Sequence, residues 1–255
     1  TAIIGYFTGR QVPPAPPMTE RTKLDYNFIR ASIALIKATM KVKRVFLAII
    51  AISFFWTIGA VLFIQFPPLA KNVLTASKEV ASLFLVVFSV GVAIGSVAIN
   101  ALLKGTVSAR YSPASVIVMG LFVVAFFIVC RQWVPDTGGS LFTVSEFVQH
   151  SMAVPLLLSL LSIAVAGGMF VVPLYAFLTT TVHKSEAART IAANNIVNSG
   201  AMVVGSLIAI GLSLAGLAVI YQLLLSAAMC VIAAWLGHLL HQASLEPHGD
   251  HELGS

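Results

Sequence analysis

Five uncharged polar side chains lie within long apolar stretches of this sequence, and they are its clearest candidates for binding chemistry. Asn194 and Asn198 are four residues apart and would share one face of a helix, with Asn195 about a quarter turn away. Asn100 and Tyr175 come near the ends of two other apolar stretches. Such groups would suit a gate or a site for a polar headgroup. They would equally suit hydrogen bonds that only hold helices together.

Trp56 and Gln65 are candidates of a second kind, because they add an aromatic and an amide group to the first apolar stretch. Trp56 ends the sequence Phe-Phe-Trp near the middle of that stretch, and Gln65 lies near its far end. Aromatic side chains at this depth are usually packing residues. The sharper alternative is a wall beside the acyl chain or headgroup of a substrate, so we include both residues in a candidate substrate cavity or gate.

Several kinds of chemistry are missing from the sequence. We find no spacing typical of a hydrolase triad, a phosphate-binding glycine loop, an acyltransferase motif or a zinc site. His150 and His183 are expected on opposite sides of a membrane, and Cys130 and Cys230 near opposite faces, unpaired. We therefore predict that the chain is not an enzyme and needs no cofactor or metal.

The composition indicates that lipid surrounds most of this chain. Of its 255 residues, 58% are apolar and only 9% are charged, against about 45–50% and about 25% in a typical soluble domain. So few charged side chains cannot cover a surface that faces water. The basic residues lie beside long apolar runs, which also argues against a nucleic-acid partner.

Six apolar runs are long enough to cross a bilayer, which takes about 20 residues. None contains Asp, Glu, Lys or Arg in its interior. The fold class is therefore predicted to be an all-α membrane protein with a six-helix bundle at 45–240, preceded by a linker region at 1–44. A tail at 241–255 follows, in which His248 and His251 are a weak metal signal and more typical of a linker. The runs are 45–66, 80–103, 113–130, 153–178, 192–214 and 217–237.

The charge distribution predicts the orientation of the bundle. Of 15 Lys and Arg residues, 12 lie in residues 1–44, 104–110 and 184–189. Basic loops stay on the cytoplasmic side. Both ends of the segment are therefore expected on the cytoplasmic side. The opposite loops carry only Lys71, Lys78 and Arg131.

The first 44 residues are expected to contain three parts. Residues 1–7 are typical of the end of a preceding membrane helix, which suggests a piece of a longer protein, and 11–18 form a proline-rich linker. Residues 22–44 fit an amphipathic helix on the anionic inner leaflet, although a solvated linker remains the alternative. Basic residues recur there every seven positions, at Lys23, Arg30, Lys37 and Arg44.

Glycine is frequent within the predicted spans. Small residues let membrane helices approach closely, and they also permit the sliding and bending that alternating access requires. Gly167 and Gly168 interrupt the fourth run near its middle. The candidates for packing or hinge positions are Gly91, Gly95, Gly167, Gly168 and Gly200.

Three segments resemble one family. Residues 53–74 (SFFWTIGAVLFIQFPPLAKNVL) resemble the start of the seventh helix of lysophospholipid transporters of the major facilitator superfamily, most closely the forms fused to an acyltransferase and acyl-carrier-protein synthetase. Residues 167–177 (GGMFVVPLYAF) are similar to the tenth helix of that family, and 191–198 (IAANNIVN) to the start of its eleventh. The resemblance covers residues 44–240, the second six-helix half, and no acyltransferase domain is visible before Ser255.

The resemblance implies transport of lysophospholipids across the inner membrane of a bacterium, from the outer to the inner leaflet, where an acyltransferase restores the second chain. The implied partners are membrane lipids, the lysophospholipid, the first six-helix half and a fused or associated acyltransferase/acyl-carrier-protein synthetase. Two alternatives stay open. The chain could export a drug or metabolite, or it could mainly anchor a cytoplasmic acyltransferase.

Overall fold

The computed structural model describes residues 8–11, 26–134 and 140–245. Within them the regular structure is helical, apart from a single bridge between Ala76 and Phe142. Eight helices follow one another: α1 (Phe28–Thr39), α2 (Lys43–Asn72), α3 (Lys78–Leu103), α4 (Ser112–Gln132), α5 (Val144–Gln149), α6 (Ala153–Thr181), α7 (Ala187–Leu214) and α8 (Val219–Leu245).

Six of these helices, α2, α3, α4, α6, α7 and α8, are long and apolar enough to cross a membrane. The shortest has 21 residues, which gives about 31 Å of helix, enough for a hydrocarbon core of about 30 Å. The prediction of an all-helical chain with six such helices is confirmed for the described residues. The result is consistent with a multi-pass membrane protein.

Helix ends differ most from the apolar runs in two places. α2 continues through Pro67 and Pro68 to Asn72, because Leu69 and Ala70 are buried in the bundle and extend the packed face. α8 continues to Leu245, so residues 241–245, which we assigned to the tail, are helical. His248 and His251, the weak metal signal in that tail, lie outside the described residues.

The linker region contains a shorter helix than expected. α1 begins after Asn27, whose side chain caps it by accepting a hydrogen bond from the backbone N–H of Arg30 at 3.1 Å. It ends at Thr39, and Arg44 already belongs to α2. The predicted single helix over 22–44 is therefore wrong in extent. Residues 1–7 and most of the proline-rich linker lie outside the described residues.

α2 is the central helix of the bundle. It packs against α7, α8 and α6, whereas α3 packs mainly against α6, and α4 packs against α6 and α8. In its most apolar window, 72% of α2 is buried, compared with 11% for α7. α7 is therefore a peripheral helix that rests mainly on α2.

An aromatic cluster joins four helices at one end of the bundle. The Phe84 ring of α3 makes edge contacts with Phe66 of α2, Phe126 of α4 and Phe147 of α5, with centroids 5.7, 6.4 and 5.9 Å apart. Trp133 stacks on Phe147 at 5.1 Å. These contacts hold the short helix α5, in the loop between α4 and α6, against the ends of the longer helices.

Candidate functional site

A hydrogen-bonded network links three of the long helices and contains three of the predicted site residues. The hydroxyl Oη of Tyr175 on α6 accepts from Trp56 Nε1 on α2 at 2.8 Å. It also accepts from Asn198 Nδ2 on α7 at 3.3 Å. Asn198 Oδ1 in turn accepts from Ser53 Oγ on α2 at 2.6 Å. We call these four residues the polar network.

The local sequence explains why the network can form. Ser53 and Trp56 are three residues apart and therefore lie on neighbouring positions of one helical face. The Ser53 hydroxyl also lies 2.8 Å from the carbonyl oxygen of Ile49. It has one proton, which it can donate either to this oxygen or to Asn198 Oδ1. The hydroxyl therefore stays paired in both arrangements, and the burial of Ser53 carries little cost.

The network keeps one donor available at the surface. Tyr175 Oη accepts two hydrogen bonds, but no acceptor for its own proton occurs among the described residues. Tyr175 is half-buried and Trp56 is 37% exposed, so the network is open on one side. It can therefore donate to a phosphate or carbonyl oxygen of a ligand. Its members are uncharged, which suits binding rather than acid–base chemistry.

Asn194 and Asn195 form a second, weaker pair on α7. Asn194 has no exposed surface, and its Nδ2 lies 3.4 Å from Asn195 Oδ1. Asn194 Oδ1 finds no donor among the described residues. Asn194 and Asn198 share one face of α7, as their spacing predicts, and both are buried, whereas Asn195 is exposed.

Asn100 does not join these residues. It is exposed on α3, and α3 packs mainly on α6 rather than on α7. The expectation that it shares a site with the α7 asparagines rested on a similar depth along the helices. Depth alone does not bring side chains together when the two helices are not neighbours.

Gln65 belongs to a separate cluster, about 13 Å along α2 from Trp56 by helical rise. Its Nε2 donates to Gln222 Oε1 on α8 at 3.0 Å. Gln222 Nε2 lies 2.8 Å from Ser213 Oγ and 3.3 Å from the carbonyl of Leu217. We call Gln65, Ser213 and Gln222 the glutamine cluster.

One acceptor in the glutamine cluster is unpaired. Gln65 is only 2% exposed, and its Oε1 finds no donor among the residues that the structure describes. Leaving such a group unpaired costs about 1–3 kcal/mol. The hydrogen bonds within the glutamine cluster therefore leave one of its buried polar atoms unsatisfied.

A lateral groove of about 470 Å³ runs between the two sites. Its floor is α2, its walls are α7 and α8, and nearly all of its lining is apolar. α7 and α8 hardly touch, although a turn of four residues joins them. Gly216 makes that turn possible, because its φ of +87° allows the N–H of Leu217 to reach the carbonyl of Leu212 at 2.9 Å.

The predicted packing glycines fall into two groups. A Cβ on Gly91, Gly95 or Gly168 would overlap atoms across the α3–α6 contact, and one on Gly167 would meet the Phe55 ring. The Gly167–Gly168 pair does not interrupt its span, because α6 is continuous from Ala153 to Thr181. Gly200 differs, since it lines the lateral groove and has open space beside it.

Sequence reasoning missed Ser53, Ser213 and Gln222. Gln222 was detectable, because a carboxamide inside an apolar run is as unusual there as Gln65 is in the first run. Serine gives no such signal, since its hydroxyl can always bond to the carbonyl of its own preceding turn.

Comparisons of this chain with protein-family models, curated proteins and solved structures find no match. The family resemblance therefore stays a prediction that depends on the residues themselves.

Proposed function

We propose that this chain is the second six-helix half of a transporter of the major facilitator superfamily that moves lysophospholipids to the inner leaflet by alternating access. The observation that carries the proposal is the polar network. Its four members lie in the three segments that resemble this family: Ser53 and Trp56 in 53–74, Tyr175 in 167–177 and Asn198 in 191–198. Segments far apart in sequence thus supply one hydrogen-bonded unit.

The chemistry of the cargo supports this assignment. A lysophospholipid has one apolar chain and one polar headgroup, and the chain offers an apolar groove and an uncharged donor near each other. A charged side chain in a bilayer is costly, whereas a phenol or carboxamide is tolerated when it is hydrogen-bonded. The polar network meets that condition and still presents the Tyr175 proton to a headgroup oxygen.

The charge content of the six apolar runs bears on the energy source of transport. No Asp, Glu, Lys or Arg occurs within the six apolar runs. Proton-driven transporters usually carry such a group, or a histidine, inside the membrane. We therefore expect the coupling group to lie in the first half of the protein, or transport not to be proton-driven.

The test is lysophosphatidylethanolamine transport by the full-length protein in proteoliposomes, measured by extraction of the lipid with albumin. Tyr175→Phe removes the shared acceptor and the available proton, and we expect transport to fall roughly tenfold, equivalent to about 1.4 kcal/mol. Tyr221→Phe is the matched control, because Tyr221 is exposed on α8 and its ring contacts Phe127. Equal transport by both variants would remove the polar network from the mechanism.

The apolar lining of the lateral groove favours one alternative cargo, an apolar drug or metabolite. Competition separates the two functions. Under our proposal, excess lysolipid displaces any such compound from the protein. Transport of the compound that lysolipid leaves unchanged would favour the exporter.

A further inference from the structure

We propose that the lateral groove and the glutamine cluster together form a binding site for a single-chain lipid with a free hydroxyl beside its ester linkage. In this site the acyl chain lies in the groove, and the hydroxyl donates to Gln65 Oε1. The inference rests on the proposed function and adds the group that selects the cargo.

The length of the groove fits one acyl chain of one leaflet. On its floor the groove extends from Ile50 to Val61 of α2, which is about 16 Å of helix. The hydrocarbon core of a bilayer is about 30 Å thick, so a chain from one leaflet needs about half of that.

The interior of the groove offers nothing to a polar headgroup. Among the described residues that line it, only Ser53 and Thr57 carry a hydroxyl. The Thr57 hydroxyl donates to the carbonyl of Ser53 at 2.7 Å, and the Ser53 hydroxyl is taken up by Ile49 or Asn198. The groove therefore suits an alkyl chain, because such a chain has no hydrogen-bonding group that would be left unpaired there.

The polar end of the site lies next to the groove. A cavity of about 140 Å³, lined by the glutamine cluster, shares Ala209 with the lateral groove. A lipid whose chain lies along α2 would therefore bring its ester and hydroxyl region to the level of Gln65. The headgroup beyond it would point to the turn between α7 and α8, about 13 Å along α2 from the polar network, so this site holds the lipid at a stage of transport before its headgroup reaches Tyr175.

The hydrogen-bond pattern identifies the unpaired atom as an acceptor. The carbonyl of Leu217 can only accept, so the group of Gln222 that faces it is Nε2. Gln222 Oε1 must then accept from Gln65 Nε2, at 3.0 Å. Gln65 Oε1 is left over, and only a donor can satisfy it.

This acceptor can distinguish two lipid classes. A lysophospholipid carries a free glycerol hydroxyl, which is a donor. A diacyl phospholipid has an ester in its place, which can only accept. The pairing of Gln65 therefore favours the lipid that needs re-acylation.

The groove can be entered from the side. α7 and α8 form its walls and hardly touch, and α7 is the least buried of the six long helices. A lipid in the bilayer could thus slide its chain between these two helices without passing through water.

The first test measures binding of palmitoyl lysophosphatidylethanolamine to the full-length protein in nanodiscs. Gly200→Leu fills the groove, because Gly200 lines it and has open space beside it. Gly211→Leu is the matched control, on the same helix with open space but outside the groove. We expect affinity to fall about tenfold in the first variant and to stay unchanged in the second. Equal affinities would overturn the groove as the site.

The second test compares the same lipid with its methyl ether at the free hydroxyl. Wild-type protein should prefer the free hydroxyl by roughly threefold to tenfold, the range expected for one net hydrogen bond. Gln65→Met should remove this preference. Because both lipids are measured on one preparation, partial misfolding does not change the ratio. No preference in the wild type would overturn the role of Gln65.

The two proposals fail in different ways. If the wild type transports lysolipid while Gly200→Leu binds it normally, the function stands and this site is wrong. If binding depends on Gly200 but the wild type moves no lysolipid, the site stands and the transport proposal is wrong.

Discussion

The α3–α6 crossing and the α7–α8 hairpin are both rich in glycine, yet glycine has opposite consequences in the two places. At the crossing, a Cβ on Gly95 would overlap the carbonyl of Val165, and one on Gly168 would come within 2.6 Å of the carbonyl of Val92. In the hairpin, Gly200 and Gly211 have no atom of the described residues within 4 Å of the same position, whereas a Cβ on Gly205 would meet the Thr57 side chain of α2.

This difference assigns the two regions different tasks. Close backbone approach at the crossing fixes α3 on α6, and with it the position of Tyr175. The absence of such contacts along the hairpin leaves α7 resting on α2, with the lateral groove beside it. Glycine in a membrane helix therefore indicates either tight packing or open space, and only its neighbours decide which.

The largest expected effect is that of Gly95→Ala. The added methyl group meets backbone atoms of Val165, which cannot rotate away, so α3 and α6 must separate. We expect a loss of about 3 kcal/mol in the free energy of unfolding. Thermal unfolding of the purified protein measures it. Wild-type stability would show that the crossing is not close-packed.

Gly205→Ala should have a smaller effect. Its added methyl group meets Cγ2 of Thr57, which is the tip of a side chain rather than backbone. A shift of Thr57, offset in part by the better helix propensity of alanine, leaves a loss of about 1 kcal/mol. The same unfolding assay would contradict this ranking if Gly205→Ala were as damaging as Gly95→Ala.

Gly211→Ala should stabilise the protein slightly. The position is helical and exposed, and no described residue lies within 4 Å of an added Cβ, so alanine removes the entropic cost of glycine and gains about 0.5–1 kcal/mol. A lower midpoint of thermal unfolding than that of the wild type would show that α7 has a packing partner at this position.

The smallest effect concerns the loop helix α5, which lies outside both regions. The backbone N–H of Thr143 donates to the Glu146 carboxylate at 2.8 Å. This hydrogen bond, together with a second one from the Thr143 side chain, lowers the pKa of Glu146 below its ordinary value of 4.5. A lowered pKa means that the cap is intact above 4.5 and is lost as the pH falls through the folded-state value.

The protection of the α5 amides against hydrogen exchange, which is the intrinsic rate relative to the observed rate at the same pH, should therefore fall in acid. Glu146→Gln keeps a capping side chain at this position without a titrating group, so the protection in this variant should not change with pH. An equal loss of protection in acid in Glu146→Gln would show that the cap is not its cause.

Much of this architecture could be predicted from sequence, for a physical reason. An apolar run free of charge has to be helical in a bilayer, because its backbone must be hydrogen-bonded internally. The ends of the runs were less predictable. Pro67 and Gly237 each end or nearly end an apolar run, but buried side chains beyond them, such as Leu69 and Leu240, keep the helix going.

The candidate site was predictable only in part. Asn198, Tyr175 and Trp56 were unusual enough to be selected individually, and the structure joins them. Asn100 was equally unusual but lies on a helix that does not reach α7. Which polar residues meet depends on which helices are neighbours. Because Ser53 and Asn198 are 145 positions apart in the sequence, no local pattern contains that information.

The central claim is that lipid fills the space between α7 and α8. It can be tested with a spin label at Ala201, which lines the lateral groove, in full-length protein whose buried Cys130 and Cys230 are replaced by alanine. In a bilayer, we expect the label to relax strongly with oxygen, which dissolves in lipid, and weakly with a water-soluble nickel reagent. Stronger relaxation by nickel, or protection from both reagents, would contradict the account.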